Sequence, residues 1–430
     1  MTTRILLLVI VMICSLPTAG IATEREIPVK NVIVMIPDGF STGHATNYRL
    51  YKQNGAPVWD DLLVGAMRTN SADSAVTDSA AAATAMATGV KTVNGRIGIS
   101  PKGKKLQTIL EVAKEEGKAT GLVATLTVTH ATPAAFAAKV DSRSQKEIIA
   151  PQLIDNVDVL LGGGKTHFLP IANGGIQQNR NVINEAKKAG FTFVDKKEEL
   201  LTTDATKLLG LFSDEELAPE FERETQEQPS LSEMTEVALS ALQQNEEGFF
   251  LMVEGSQIDW AGHDNDAAWA MKEIEAFEEA VMKALDFAKT DGNTLVIIVS
   301  DHDNGGMSVG ADGRYASNIK MLRDVKATGE FMAEQLSKNH ENAKVVLETY
   351  ANVKLTNTEY SQIVNASDPT DEINAILSER AIVGWTSTVH TGEDVPLYAF
   401  GPKANLFSGN IDNTDLPKII ARAMGMSFER

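Results

Sequence analysis

The stretch Gly292–His302, GNTLVIIVSDH, decides the fold. Leu295 to Val299 is an unbroken apolar run, rich in β-branched residues and too short for a buried helix. It shows no polar alternation, so both faces of the strand it forms must be covered. That is the signature of a strand inside a parallel sheet. The run also ends abruptly on an acid and a histidine, Asp301 and His302. The same construction recurs along the chain. VKNVIVMI (Val29–Ile36) stops at Pro37-Asp38-Gly39, and ATGLVATLTVT (Ala119–Thr129) stops at His130. DVLLGG (Asp158–Gly163) runs into a glycine loop, GFFLMVEG (Gly248–Gly255) carries Glu254, and DVPLYAFGP (Asp394–Pro402) closes the series soon after His390. Helix-period segments lie between them: LQTILEVAKEEG (Leu106–Gly117), and AAWAMKEIEAFEEAVMKALDFAKTDG (Ala267–Gly292) with Asp264, Asn265 and Asp266 available as caps. The alternation predicts an α/β fold, a central mostly parallel sheet with helices on both faces. The more polar stretch from about 305 to 379 reads as a small cap or insertion that returns to the same sheet.

The first 22 residues stand apart. Arg4 precedes the apolar run Ile5–Cys14, and the small-residue site Gly20-Ile21-Ala22 follows, as in a secretory signal. The expectation is one catalytic α/β domain over residues 23–430, exported to a periplasm or secreted, with no membrane span once the signal is removed. Cys14 is the single cysteine, so the mature chain has no disulfide. A formal charge of −19 argues against nucleic-acid or anionic-membrane partners. An acidic protein that handles an anion needs a strong local positive centre, and metal ions are the obvious supply.

Ligands of an open parallel sheet bind beyond the carboxyl ends of its strands. Asp38, Glu254, Asp301 and His302 all follow apolar runs and would converge there. Asp259 and His263 in VEGSQIDWAGHD are four residues apart and share a helix face, a spacing that suits one metal. Four of the seven histidines (His130, His263, His302, His390) fall in these motifs. Imidazole with carboxylate is zinc chemistry. In VTDSAAAATAMATG (Val76–Gly89), Ser79 opens an alanine-rich helix that ends at Gly89. A helix start gathers unpaired N–H groups and positive dipole, a place for an anion and for an activated serine.

With these residues in hand, the chain resembles the alkaline phosphatases. The matching motifs are PDGFS, TDSAAAATAMATGVKTVNG, HATPAAFAAKVDSR, VEGSQIDWAGH, SDHD and VHTG, in the family's order from about Asn31 to Pro402. The resemblance implies hydrolysis of phosphate monoesters through a phosphoserine on Ser79, with two Zn2+ and one Mg2+. It implies that Asp259, His263 and His390 hold the first zinc, and that Asp38, Asp301 and His302 hold the second, with Ser79 as exchangeable ligand. Asp38, Thr132 and Glu254 would hold magnesium, an oxygen-only set suited to a hard cation. Arg143 would bind phosphate and Asp78 would orient it; a homodimer is also implied. Two positions depart from the best-studied bacterial members, which carry Asp in place of His130 and Lys in place of Trp260. His130 is then expected near the third metal or its waters, and Trp260 to hold phosphate less tightly. The rival readings are a phosphodiesterase of the same superfamily and a non-catalytic secreted metal-binding protein. A sulfatase needs Pro and Arg close behind its nucleophile, and TDSAAAATA has neither. LLGGGKTHF (Leu160–Phe168) resembles a phosphate-binding loop, but Val159 stands where that pattern requires glycine. It reads as a glycine-rich turn after a strand.

Overall fold

The structure is a computed structural model that describes residues 28–428. The secretory signal expected over residues 1–22 lies outside the described residues. The sheet has ten strands: β1 Asn31–Pro37, β2 Leu63–Arg68, β3 Ala119–Thr127, β4 Val159–Gly163, β5 Thr192–Val194, β6 Leu208–Leu211, β7 Phe249–Gly255, β8 Thr294–Val299, β9 Val395–Phe400 and β10 Gly409–Asp412. Their spatial order is β10-β2-β9-β8-β1-β7-β3-β4-β6-β5. β1 sits between β8 and β7 and pairs with both in parallel, while β3 runs parallel to β7. Among the described residues, β9 alone runs against its neighbours in this sheet, antiparallel to β8 and β2.

Strand periodicity builds two cores. Ile33 and Met35 of β1, Leu251 and Val253 of β7, and Val296 and Ile298 of β8 point into one cluster. Val32, Val34 and Ile36, Phe250 and Met252, and Leu295, Ile297 and Val299 point into the other. Successive residues of one strand thus serve opposite faces, which is why these runs are apolar without alternation. Helices cover both layers. Four helices matter for the site: α1 Ser79–Thr88, α2 Ala131–Ala137, α3 Gln257–His263 and α4 Ala267–Asp291. α4 starts on Asp266, whose carboxylate accepts from the Ala268 and Trp269 N–H groups. The stretch after β8 contributes helices Gly329–Glu334, Ala343–Ala351, Asn357–Asn365 and Pro369–Ala381 before the chain re-enters the sheet as β9. Their apolar residues Leu347, Ile363, Ile376 and Leu377 join the first core.

The parallel block β8-β1-β7-β3 fixes the site. Its four carboxyl ends lie side by side and deliver Asp301 and His302, Asp38, Glu254, and the Thr127–Thr132 turn to one edge.

Candidate active site

Asp38 follows β1 at a sharp turn. Gly39 has φ +76°, and a Cβ there would stand 3.0 Å from both the Asn304 Cβ and the Asp259 Cα. A side chain at this position would push apart the turns that carry two of the acids. Asn304 ties those turns together by donating to the Asp259 carbonyl and carboxylate, each at 2.7 Å.

His302 is the centre of the cluster and fully buried. Its Nε2 lies 3.1 Å from the Ser79 Oγ, 3.4 Å from Asp38 Oδ1 and 3.3 Å from Asp301 Oδ2. Its ring stacks on that of His390, with centroids 3.6 Å apart. His390 donates Nδ1–H to the Thr77 carbonyl at 2.9 Å, and His263 donates Nδ1–H to the Thr388 carbonyl at 2.8 Å. In both rings the backbone takes Nδ1 and leaves Nε2 facing Asp259, at 3.3 Å for His390 and 3.5 Å for His263. A carbonyl behind a histidine is how proteins aim the other nitrogen at a metal.

Among the described residues, three groups that could hold a metal ion have donor atoms within 4.8 Å of one another: Asp259/His302/His390, Asp38/Asp301/His302 and Asp38/His130/Glu254. The second coincides with a set expected from sequence. In the first, His302 takes the place expected for His263, which stands at the rim beside Asp259. The third brings in His130. Thr132, in the first turn of α2, is buried and its Oγ1 lacks a hydrogen-bond partner. Both oxygens of Asp38, both of Glu254 and Oδ2 of Asp301 are likewise buried without a partner. Unpartnered buried carboxylates are costly unless cations compensate them, so the donor set fits metal ions.

The electrostatics agree. Burial, then the charges of Asp301, Asp259 and Glu254, push Asp38 well above the usual carboxylate range. Burial raises Glu254 to about 7 and Asp301 to about 6. Burial would raise Asp259 as well, but the His390 contact and the charges of His302, His390 and His263 hold it below the usual range. Like charges crowded in a dry site repel one another until a cation joins them.

Ser79 begins α1. Asp78 caps that helix, its Oδ1 accepting from the Ala81 N–H at 2.9 Å. Its Oδ2 accepts from the Gly95 N–H at 2.9 Å and from Arg143 Nη1 at 3.1 Å. Arg143 Nη2 donates to His130 Nε2 at 2.8 Å. Because Arg143 can only donate, neutral His130 carries its proton on Nδ1, which is buried without a partner. Burial and the neighbouring Arg143 lower the pKa of His130 to about 3, so it is neutral at working pH. The Arg143 fork is therefore held at both ends, by Asp78 and by His130. Trp260 is half-buried on α3 and packs against the first core.

The cluster has the chemistry for phosphoryl transfer: a serine at a helix start, clustered buried carboxylates and histidines, and a tethered guanidinium. The alkaline phosphatase family matches residues 29–426. The chain belongs to the alkaline phosphatase family. It is 43% identical over 420 residues to alkaline phosphatase 3 of Bacillus subtilis, a match that covers 92% of this chain and 89% of that one. Among solved structures it resembles a cold-active alkaline phosphatase of a psychrophilic Shewanella, with TM-score 0.85, 34% identity, and 92% and 99% of the two chains covered. Thermus thermophilus alkaline phosphatase is similar too, with TM-score 0.86, 31% identity, and 93% and 92% covered. The α/β architecture with its large, mostly parallel sheet is that of the family, and the activity is metal-dependent hydrolysis of phosphate monoesters. Among the described residues no helix is long and apolar enough to cross a membrane.

The sequence pointed to the carboxylates and histidines that the structure gathers here. It gave no sign of the Thr77 and Thr388 carbonyls, nor of Asn304 beyond its place just after SDHD.

Proposed function

We propose that Ser79 is the nucleophile of this phosphomonoesterase and that Arg143 holds the phosphate, beside a site for two Zn2+ and one Mg2+. The observation that carries this reading is Ser79, buried at the start of α1 with its Oγ 3.1 Å from His302 Nε2. Asp259, His263 and His390 would hold one zinc. Asp38, Asp301 and His302 would hold the other, and Asp38, Thr132 and Glu254 the magnesium, with His130 beside it. When bound, the ions supply Lewis acidity that favours the serine alkoxide and neutralises charge on the phosphoryl and leaving oxygens.

The chain's own residues do the rest. Ser79 Oγ loses its proton and attacks phosphorus, and the bond from phosphorus to the ester oxygen breaks to release the alcohol. Water then cleaves the phosphoserine, returning Ser79 and inorganic phosphate. The N–H groups at the start of α1 and the planar Arg143 fork match oxygens of a phosphate dianion. Asp78 and His130 keep that fork from swinging away between turnovers. Trp260 supplies no cation to this pocket, which favours release of phosphate.

The same reading takes residues 1–22 as an export signal and residues 23–430 as one catalytic domain with an insertion at about 305–379. It takes the working form as a homodimer, periplasmic or secreted. The signal-like pattern around Arg4 and Ile5–Cys14 supports export.

The test is Ser79→Ala in metal-loaded protein, assayed on p-nitrophenyl phosphate, with zinc and magnesium measured by plasma mass spectrometry. Turnover should fall by roughly three orders of magnitude or more while the bound zinc is kept. Substantial residual turnover would move the nucleophile elsewhere. A chain that never hydrolyses the monoester, yet binds the metals, would be the secreted metal-binding protein instead.

A further inference from the structure

The glycine-rich stretch Leu160–Phe168 is not a phosphate loop, yet it ends in a histidine with a specific set of partners. β4 stops at Gly163, and Gly164 turns the chain with φ +93°. A Cβ on Gly164 would stand 3.0 Å from the Thr127 Cβ and 3.2 Å from His167 Nδ1. The turn is thus pressed against the end of β3, and His167 is delivered to that place. The His167 side chain is buried, 4% exposed. Its Nδ1 lies 2.6 Å from the Thr129 Oγ1 and its Nε2 lies 3.2 Å from Glu215 Oε2. Glu215 is more than half exposed and also accepts from the Thr166 hydroxyl at 2.7 Å.

The proton positions follow from the partners. A carboxylate only accepts, so His167 Nε2–H donates to Glu215 and Nδ1 is the acceptor for the Thr129 hydroxyl. The ring is neutral for this: burial, then the nearby Lys146 charge, lowers its pKa to about 4 against the pull of Glu215. Thr129 is fully buried and immediately precedes His130. His130 N–H closes the turn on the Thr127 carbonyl at 2.8 Å, and His130 Nε2 receives Arg143. A continuous line of contacts therefore runs from Glu215 through His167 and Thr129 to the turn that presents His130 to the phosphate-binding arginine.

We infer that His167 is a positioning residue for phosphate binding: through Thr129 it fixes the turn that sets His130, and so one of the two tethers of Arg143. The inference rests on the reading of Arg143 given above. Geometry of this kind matters because a displacement of about 1 Å in a supporting group is enough to weaken an anion clamp. His167 touches no substrate. Its loss acts on how well phosphate is held more than on the chemical step.

Two substitutions separate the two ends of the ring. The amide of Asn reaches the place of Nδ1, and that of Gln reaches the place of Nε2. His167→Asn keeps an acceptor for Thr129 and gives up Glu215; His167→Gln keeps Glu215 and gives up Thr129. The experiment measures inorganic phosphate binding to metal-loaded enzyme by calorimetry, with KM and kcat for p-nitrophenyl phosphate alongside. His167→Gln should weaken phosphate binding about three- to tenfold, the effect of one lost buried hydrogen bond, and raise KM more than it lowers kcat. His167→Asn should weaken it less. Thr129→Val removes the hydroxyl with little change of shape. It should reproduce the effect of His167→Gln, and the double variant should be no worse than either single one. If His167→Gln fails to fold, Thr129→Val carries the test alone. The inference is overturned if Thr129→Val binds phosphate as tightly as the unsubstituted chain. Equal damage by His167→Asn and His167→Gln would overturn it as well. Arg143→Ala is measured in parallel: if it leaves phosphate binding unchanged, the fault lies with the reading of Arg143 and not with His167.

Discussion

At the scale of single residues, Asp78 performs two tasks with its two oxygens. One caps α1 and so fixes the backbone at Ser79; the other anchors Arg143 and the Gly95 N–H. Substitutions can divide these tasks. Asn caps helices about as well as Asp, but its amide N–H2 would face the Arg143 and Gly95 donors. Asp78→Asn should therefore keep the melting temperature near that of the unsubstituted chain while KM for a monoester rises severalfold. Asp78→Ala should show the same KM defect plus a stability loss of about 1 kcal/mol from the missing cap. Equal KM values for Asp78→Asn and the unsubstituted chain would remove Asp78 from phosphate binding. Most of the candidate carboxylates and histidines were legible in the sequence because they stand at the end of an apolar run (Asp38, Glu254, Asp301, His302) or at helical spacing from another candidate (Asp259, His263), while His390 stood out only by its VHTG motif. The supporting contacts were not. A carbonyl such as that of Thr77 or Thr388 carries no side-chain signal, and the approach of His167 to Thr129 depends on β4 lying beside β3, which neither segment announces alone.

At the scale of elements, α1 shows what its composition is for. All ten of its residues are buried, and it packs against α2, another helix of mostly small residues. The small side chains let α1 sit close to its neighbours and bring Ser79 within reach of His302, while the helix itself ends at Gly89. Ala83 faces the second core and is fully buried. Ala83→Leu should therefore cost about 1–3 kcal/mol, the usual effect of overpacking. It should also lower kcat, because the easiest relief is to move α1 away from the sheet. Unchanged kcat alongside a lower melting temperature would show that Ser79 is positioned by its cap alone. Three helices were legible from their own signals: helical spacing and the stop at Gly117 for Ile109–Glu115, Asp266 before α4, and the alanines and Gly89 of α1. The central strands were legible from apolar runs. The short strands β2, β5, β6 and β10 were not, since three to six residues interrupted by glycine or polar groups hold no period. Nor did DVPLYAFGP reveal that β9 runs antiparallel, because direction is set by where the preceding helices leave the chain.

At the scale of the whole molecule, the acidity of the chain reaches into places remote from the candidate site. Glu273 on α4 is 5% exposed. Its Oε1 accepts from the Glu220 N–H at 2.7 Å and from the Trp269 indole N–H at 2.9 Å. Burial, then the charge of Glu220, raises its pKa to about 8, with Glu222 adding to the rise. Burial lifts Glu222 itself to about 7, although the Thr328 N–H and hydroxyl pull it down. A carboxyl whose folded pKa lies above its unfolded value binds its proton more tightly in the folded chain. Stability from Glu273 is then fully present below the unfolded pKa, near 4.5, and is lost as pH rises through about 8. The loss falls in the alkaline range, on a chain already at −19. Glu273→Gln keeps an oxygen for both donors and removes the titration. The two chains should melt at similar temperatures near pH 5. At pH 9 the variant should be the more stable by on the order of 1–3 kcal/mol, a discount on the full shift because the site can relax or admit water. Scanning calorimetry of the metal-loaded enzyme at both pH values checks this. A difference in melting temperature that stays constant from pH 5 to pH 9 would mean that Glu273 is ionised in the folded chain throughout, and that the alkaline loss of stability arises from other groups.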